Sequence, residues 1–346
     1  MNLLAIALLA TSIFALYLSN VPSQPTSIPA TTTTTITTPN FTLASLYALQ
    51  TRIFDQTLSL APVINSTLLS PSIRGRVDIT RTFTGIELNT EYLFSLFAQL
   101  NRTRSFTLLG IPTGYTVTHF AAFPLSPSPS SSSSSDAAPA AVAASAILMN
   151  FTSPTFWHAP FTLEIHAWTL FDGAGRARQY DATFRHWGAF VSGALSRVAR
   201  ARFGGNVTAA VAHATTQIAR AVCAEHEAHC TTGKNRQYAS EAACVAFLAG
   251  GAVRFGGADE MGLDTLLCRM VHGPMVALRP AVHCPHVGPS GGDMCTDRLE
   301  YGERIDQGFW EVPWIPAGAF GEAGGKGRDN REVRGWDDRM EVVGAV

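Results

Sequence analysis

All six cysteines of this 346-residue chain fall in one stretch between Cys223 and Cys295. An even set of clustered cysteines in an exported chain predicts a disulfide framework, here of three bridges with fifteen possible connectivities. Cys223 and Cys230 cannot pair if a helix joins them, because a rise of about 1.5 Å per residue separates them by more than the roughly 7 Å allowed. The three connectivities with that pair drop out, which leaves twelve. The predicted bridges use Cys223, Cys230, Cys244, Cys268, Cys284 and Cys295.

The N-terminus carries an uncharged apolar run from Leu3 to Leu18. This run is shorter than the about 20 residues that a membrane-spanning helix needs, so we interpret residues 1–20 as a signal peptide. The alternative is a retained signal-anchor that makes the chain a type II membrane protein. The Thr-rich segment 21–41 has the composition of an O-glycosylated stalk. The sequence therefore predicts a secreted, extracellular protein, with the membrane as a partner only if the leader is retained.

Five Asn-x-Ser/Thr sequons are spread along the chain, and with the leader they predict a glycoprotein. The alternative is that some of them lie in buried strands and are never modified. Asn150, inside an apolar run, is the first candidate for such burial. The five acceptors are Asn40, Asn65, Asn101, Asn150 and Asn206.

Composition excludes some functions and leaves others open. Charged residues make up 15% of the chain and the formal net charge is -1. No basic surface is therefore expected, and nucleic acid is excluded as a partner. The sequence contains no P-loop, Rossmann fingerprint, G-x-S-x-G elbow or H-E-x-x-H motif, so no motif names a reaction.

The segment 42–188 begins with helical patterns. Apolar residues recur every three to four positions after Thr42, which predicts an amphipathic first helix capped by Thr42. A turn at Ser70-Pro71 is expected to lead into a short strand. Asn89 is expected to start a second helix.

Extended patterns follow in the same segment. The stretches 105–123, 140–151 and 161–187, the last folded back at Asp172-Gly173, predict a long-stranded antiparallel sheet. A Ser/Pro-rich segment, 124–141, predicts a flexible loop between the first two stretches. Helices on one face of such a sheet make an α+β fold.

Two motifs in this region carry a resemblance to a known fold. The segment GRVDITRTFTGIELNTEYLF and the hairpin EIHAWTLFDGAGRARQYDATFRHW, with its W-x-x-F-D-x-x-G-R turn, resemble the NTF2-like fold in its SnoaL-like branch over roughly residues 43–187. The resemblance implies a cone in which helices and a curved antiparallel sheet enclose a pocket. Cyclases, isomerases, dehydratases and non-enzymatic binding modules all use that pocket. It also implies a homodimer formed through the sheet, unless the second domain covers the sheet instead.

The segment 189–305 is predicted to form a small helical, disulfide-rich domain, and 306–346 a flexible tail. The spacing of cysteines, histidines and glycines in the segment 189–305 is C-R-x-x-H … H-C-x-H-x-G-x-x-G-G-x-x-C. This spacing resembles a Cys/His-rich region of secreted fungal proteins, and the resemblance implies no particular activity. The predicted helices cover 192–203, 207–229, 238–254 and 263–278, and a Gly/His/Cys loop, HCPHVGPSGGDMC, follows them.

Four histidines stand beside the cysteines and are candidate metal ligands. His226 and His272 follow a cysteine by three and four residues, which places each pair on one helix face, and two more flank Cys284. Oxidised sulfurs cannot ligate, so a divalent transition metal would rest on imidazoles, which suit copper, zinc or iron. The alternative is that these histidines bond to loop carbonyls or cap helix ends. The candidates are His226, His272, His283 and His286.

Candidate catalytic residues lie on the strand FTLEIHAWTLFD. Alternation puts Glu164, His166 and Trp168 on one face and the apolar residues between them on the other. If the first face is concave, a carboxylate, an imidazole and an indole would form an acid/base pair with a stacking wall, and His119 is a further candidate. The alternative is an outward, solvated face.

Two classes of function follow from these patterns. The first is a secreted binding or structural module with a pocket for a small apolar ligand, which the missing motifs favour. The second is an enzyme acting on an apolar small molecule, either a SnoaL-like acid/base catalyst or a His-based metalloenzyme.

Protein produced in a eukaryotic secretory host is expected to carry N-glycans at several of the five sequons, because the leader would deliver them to the glycosylation machinery. Enzymatic deglycosylation followed by mass spectrometry measures this, and an Asn150→Gln variant shows whether that site is used. Translocated protein with the unmodified mass would contradict the prediction.

Overall fold

A six-stranded sheet with the order β2-β1-β6-β5-β4-β3 forms the centre of the N-terminal region. This computed structural model describes residues 41–103, 106–125, 138–153, 155, 160–297 and 308–311. All neighbouring strands pair antiparallel except β1 and β6, which are parallel, so the predicted antiparallel sheet is confirmed apart from that pair. The strands are β1 (Leu69–Val77), β2 (Thr82–Thr84), β3 (Ile111–Pro124), β4 (Pro139–Thr152), β5 (Pro160–Asp172) and β6 (Ala177–Arg185).

Several predicted segments lie outside the described residues. They are the leader and stalk up to residue 40, with the Asn40 sequon, most of the Ser/Pro-rich loop and most of the tail. Within the described part of the chain, no helix is both long enough and apolar enough to cross a membrane.

Two helical segments precede the long strands. The first, α1 (Leu43–Leu58), begins with the predicted cap: the Thr42 hydroxyl accepts from the Ser45 amide, and the Ser45 hydroxyl accepts from the Thr42 amide. The second runs from α2 (Ile86–Thr90) through a π-helical turn (Glu91–Ser95) into α3 (Leu96–Thr103). A π-helical turn widens the helix locally and frequently occurs at functional sites.

Two predicted boundaries in this region are wrong. Ser70 and Pro71 lie inside β1 and form no turn. Pairing with β6 is interrupted between Leu69 and Arg74, so the missing amide hydrogen of Pro71 disturbs no ladder bond. Asn89 does not start the second helix but lies inside it, because its buried side-chain amide donates to carbonyl oxygens just before the helix, including that of Phe83 at 3.2 Å.

The C-terminal region is helical, as predicted, with shorter third and fourth helices. The predicted Gly/His/Cys loop is wrong at its start, because residues 283–287 belong to a helix that begins at Pro280. Proline fits a first helical position, where its missing amide hydrogen costs nothing. The helices are α4 (Trp187–Arg202), α5 (Val207–His229), α6 (Glu241–Ala249), α7 (Leu266–His272) and α8 (Pro280–Val287), with a 3-10 turn (Gly273–Ala277) between α7 and α8.

Three disulfides join these helices, and the described residues include no free cysteine. The Cα atoms of the bonded pairs lie 5.6 to 5.8 Å apart, within the normal range. Cys223 and Cys230 do not pair, as their helical separation predicted. The bridges are Cys223–Cys244, Cys230–Cys284 and Cys268–Cys295.

The main apolar core is shared by the sheet and the C-terminal helices. It includes Phe151 and Ile165 from the sheet and Ile218 and Leu267 from the helices. The indole of Trp187 donates to the carbonyl of Ala258 at 2.9 Å. The described residues therefore belong to one compact unit.

A short piece of the predicted tail is fixed on the sheet. Phe309 is buried, and its carbonyl oxygen accepts from Gln179 Nε2 at 2.7 Å. Its ring lies under the guanidinium of Arg76, 4.5 Å from the ring centre. The prediction of a flexible tail is thus wrong for residues 308–311.

We expect the double variant Cys223→Ser/Cys244→Ser to lose about 3 kcal/mol of unfolding free energy, because the bridge closes a 21-residue separation and restricts the unfolded chain. Urea denaturation of the variant and the wild type measures the loss. Peptide mapping without reductant should give the three observed pairs and no alkylated cysteine among them. Several alkylated thiols in native protein would contradict the framework.

Candidate functional site

A cavity of about 150 Å³ lies between the sheet and the helices. Its wall includes Ile53 from α1, Leu96 from α3, Ile147 from β4, Ile165 from β5 and Val271 from α7. Most of the lining side chains are apolar, so the cavity favours an apolar occupant.

The catalytic residues predicted from the sequence lie on the other side of the sheet. Leu163, Ile165 and Ala167 line the cavity, so the alternating Glu164, His166 and Trp168 are on the opposite, partly exposed face. There His166 Nε2 and Glu164 Oε1 lie 2.8 Å apart, and Trp168 is 44% exposed. His119 is also exposed. These four residues therefore do not line this cavity, because the apolar residues of β5 occupy its enclosed face and His119 is not among the lining residues.

Two cavity residues carry a buried polar atom without a partner among the described residues. Gln50 donates from Nε2 to the Ser145 hydroxyl at 3.3 Å, and its Oε1 has no hydrogen-bond partner. The Tyr180 hydroxyl likewise has none. Burial raises the pKa of Tyr180, so its hydroxyl stays protonated and can donate. Buried polar atoms normally find partners, so these two are available to a ligand.

Three of the four candidate metal ligands meet behind the cavity wall. His272 ends α7, and His283 and His286 lie on α8. His272 Nδ1 lies 3.4 Å from His283 Nδ1 and 3.1 Å from His286 Nδ1. All three side chains are buried, at 2% exposure or less. We call these three residues the histidine cluster.

Each ring of the histidine cluster has a second partner at Nε2. His272 Nε2 lies 3.1 Å from the Tyr92 hydroxyl, which belongs to a residue that also lines the cavity. His283 Nε2 lies 2.9 Å from a Glu91 oxygen. His286 Nε2 lies 2.7 Å from an Asp293 oxygen. His283 and His286 therefore both turn Nδ1 toward Nδ1 of His272, and every ring of the cluster turns Nε2 toward an oxygen.

His226 is not part of the histidine cluster. Its Nε2 accepts a hydrogen bond from the Gln237 amide at 3.0 Å, and its ring packs edge-on against Tyr238. Its Nδ1 has no partner among the described residues. Burial lowers the pKa of His226, so this histidine fits a structural role near the end of α5.

Burial and neighbouring charges set the protonation of the cluster. Burial, with the proximity of His286 and His283, holds the pKa of His272 well below its usual value. Burial and His283 lower the pKa of His286 to about 4, although Asp293 opposes this. Both imidazoles are therefore uncharged at neutral pH.

The carboxylates behind the rings remain ionised. Burial alone would raise the pKa of Glu91, but hydrogen bonds from His283 and Arg279 outweigh it and hold that pKa below its usual value. For Asp293, burial is the largest single influence and raises the pKa, but interactions with His286, a backbone hydrogen bond and the charge of Arg81 together hold that pKa below its usual value. Two negative charges thus lie directly behind two rings of the cluster.

Two disulfides hold the elements that carry the cluster. Cys268, one helical turn before His272, is bonded to Cys295, two residues after Asp293. Cys284, between the two α8 histidines, is bonded to Cys230 at the end of α5. These bridges fix α7, α8 and the following loop against one another.

The glycine pair after α8 is needed for close packing. A side chain at Gly291 would bring its Cβ within 1.8 Å of the Cys295 carbonyl oxygen, and at Gly292 within 2.8 Å of the His286 ring. Both residues have φ near +65°, at +70° and +62°, a conformation that favours glycine. The pair therefore forms a tight turn within the predicted Gly/His/Cys loop.

The four described glycan acceptors remain available for modification. Asn65, Asn150 and Asn206 are exposed and Asn101 is half-buried. Asn150 points to the outer face of β4, so the expectation that it is buried is wrong. Asn206 also caps α5, where its Oδ1 accepts from the Ala209 amide at 3.0 Å. Modification itself stays a prediction.

In the presence of EDTA, His286 alone is expected to lower the unfolding free energy by about 3 kcal/mol between pH 7 and pH 4. His286 has a pKa of about 4 in the fold and 6.5 when unfolded, so the unfolded chain binds its proton first as the pH falls. This contribution is complete above pH 6.5 and is lost toward pH 4. Urea denaturation across the range measures it. His286→Asn should flatten the profile and His119→Asn should not; equal slopes in all three proteins would contradict the assignment.

Comparisons with known proteins cover both halves of the chain. Models of the BfoA N-terminal domain and the BfoA family C-terminal domain match residues 47–182 and 186–298. "Aurasperone B biosynthesis cluster protein A" of Aspergillus niger is 38% identical over 284 residues, 81% of this chain and 86% of the relative. "Bifonsecin B biosynthesis cluster protein A" of Aspergillus brasiliensis is 38% identical over 282 residues, 80% of this chain and 88% of the relative. The chain therefore belongs to the BfoA family, and its relatives are proteins of fungal secondary-metabolite biosynthesis clusters.

Proposed function

We propose that this chain is a secreted protein that binds a small, largely apolar molecule of a fungal biosynthetic pathway. The observation that carries the proposal is the cavity between the sheet and the helices, with two polar atoms that have no partner among the described residues. Support for the pathway comes from the names of the relatives, which assign them to the biosynthesis clusters of aurasperone B and bifonsecin B.

The size and lining of the cavity favour an aromatic ring as the occupant. Cavities of about 150 Å³ with apolar walls stay dry and accept benzene. Gln50 Oε1 offers an acceptor and the Tyr180 hydroxyl a donor, so a ligand with one hydroxyl and one carbonyl would satisfy both. Each such hydrogen bond is worth about 1 kcal/mol.

Binding is a better description of this cavity than acid/base catalysis. Among the described residues that line it, there is no carboxylate, imidazole or amine. The only titratable groups are the hydroxyls of Tyr92 and Tyr180, and burial raises the pKa of each above its usual value. A group that moves protons near neutral pH would need a pKa close to that range.

Export and fold type are part of the same proposal. The leader, the Thr-rich stalk, the five sequons and three disulfides all suit an oxidising compartment outside the cytosol. Helices over one face of a mostly antiparallel sheet, with a cavity between them, fit the NTF2-like cone that the hairpin motif resembles. In that fold the enclosed face of the sheet is the ligand site.

The test is a set of four probes that differ only in polar groups: toluene, p-cresol, acetophenone and 4-hydroxyacetophenone. Isothermal titration calorimetry should show that p-cresol binds about fivefold more tightly than toluene, because its hydroxyl donates to Gln50 Oε1. Acetophenone should also bind about fivefold more tightly than toluene, because its carbonyl accepts from the Tyr180 hydroxyl. Gln50→Leu should remove the first advantage alone, and Tyr180→Phe the second alone. The probe with both groups should bind most tightly to the wild type.

Two variants control this experiment. Thr57 lines the cavity, but its hydroxyl already lies 3.2 Å from the Ile53 carbonyl, so Thr57→Val should leave all four affinities nearly unchanged. Ala167→Phe fills the cavity and should abolish binding of every probe. Binding that survives Ala167→Phe, or no binding of any probe, would refute the cavity as a ligand site.

A further inference from the structure

The histidine cluster leaves a hydrogen-bonding problem at its centre. Nε2 of His283 lies against a Glu91 carboxylate oxygen and Nε2 of His286 against an Asp293 carboxylate oxygen, and these oxygens are hydrogen-bond acceptors, so each Nε2 atom carries a ring hydrogen. This tautomer follows from the network around each ring. When each of these two rings is uncharged, its Nδ1 atom holds a lone pair. Both lone pairs face the Nδ1 atom of His272.

His272 alone cannot satisfy both neighbours. When the Tyr92 hydroxyl donates to His272 Nε2, the Nδ1 atom carries the one ring hydrogen of His272. That hydrogen can satisfy one of the two facing lone pairs, and the other stays unpaired in a buried site. An unpaired buried polar atom is unfavourable by about 1 to 3 kcal/mol. A cation between the three nitrogens satisfies all of them at once.

We infer that His272, His283 and His286 bind one divalent transition metal ion through their Nδ1 atoms. A zinc–nitrogen bond of about 2.0–2.1 Å with tetrahedral angles separates two ligand nitrogens by about 3.3–3.4 Å. The two Nδ1 separations from His272 are 3.4 and 3.1 Å. The two nitrogens that face His272 therefore lie close to the spacing of a coordination sphere, and candidate ligand atoms of all three residues lie within 4.8 Å of one another.

The surroundings of the cluster suit a metal. Histidine ligands normally donate their second N–H to a carboxylate or another oxygen, which orients the ring and strengthens the ligand. Glu91 and Asp293 occupy that position for two rings, and their two negative charges balance a divalent ion. Tyr92 occupies it for the third.

The chemistry of the donors selects the ion. Cys268 and Cys295 lie close enough to His272 to form a ligand group, but they are bonded to each other and cannot act as thiolates. Three neutral imidazoles remain, which favour zinc(II) or copper(II) over magnesium or calcium. Three protein ligands leave a coordination position for water or a small ligand, as in catalytic zinc sites.

This site is separate from the ligand cavity and can be tested without any cavity ligand. Full-length protein secreted and purified without chelator should contain about one zinc or copper ion per chain by elemental analysis. After removal of the metal with EDTA, cobalt(II) should restore one equivalent and give the visible absorption bands of a tetrahedral nitrogen-bound ion. His272→Gln and His286→Gln should each lose that binding.

Two further variants separate ligation from folding. His226→Gln changes a buried histidine of the same region outside the cluster and should keep one metal per chain. Asp293 is 76% exposed at its side chain and contacts His286, so Asp293→Asn should fold normally and weaken metal affinity about 10- to 100-fold. This variant decides the question even if the histidine variants do not fold.

Three results would overturn the inference. One is sub-stoichiometric metal in chelator-free wild type together with no cobalt(II) or zinc(II) binding by the EDTA-treated protein, which would leave a single shared proton at the centre. Another is full metal retention in folded His272→Gln or His286→Gln. The third is an unchanged affinity in Asp293→Asn.

Discussion

The packing of the C-terminal helices against the N-terminal sheet region depends on one constraint, the buried carboxylate of Glu91. An unpaired buried charge would destabilise the fold by several kcal/mol, so Glu91 requires partners, and it finds them in Arg279 and His283, about 190 residues later in the chain. The next residue, Tyr92, reaches both the cavity and His272. One π-helical turn therefore connects the sheet region, the cavity and the histidine cluster, and none of the three can be placed independently of the others.

Local patterns predicted most elements of the fold. The cap at Thr42, the long strands and the helices of the C-terminal region follow from residue spacing that needs only near neighbours. The pairing of β1 with β6 did not follow, because a parallel neighbour is chosen by contacts between distant segments. The second helix began earlier than predicted for a similar reason. Asn89 looks like a cap from its type alone, but its amide serves carbonyl groups that reach it only through tertiary structure.

The candidate site was predictable in part. Histidines at helical spacing from cysteines indicated the histidine cluster. The same spacing also included His226, and only the three-dimensional structure shows that this residue lies outside the cluster, where it bonds to the Gln237 amide. Glu91 and Tyr92 carried no signal, because nothing local links them to residues so far along the chain. The alternation of residues along β5 separated its two faces but could not show which face is enclosed. The face with Glu164 and His166 was therefore a candidate catalytic site. Gln50 is an ordinary helical residue until the cavity surrounds it.

The order in which the disulfides overlap has a consequence for the effect of proteolysis on the chain. The segments closed by Cys223–Cys244, Cys230–Cys284 and Cys268–Cys295 overlap along the sequence. Every peptide bond from residue 223 to residue 295 therefore lies inside at least one disulfide-closed loop. A protease that cuts this stretch once releases no fragment. The Cys230–Cys284 bridge links the loops closed by the other two bridges. Without it, a cut between residues 244 and 268 would separate those two loops. A chain cut once in this stretch would therefore still hold its helices and their imidazoles on one covalent framework.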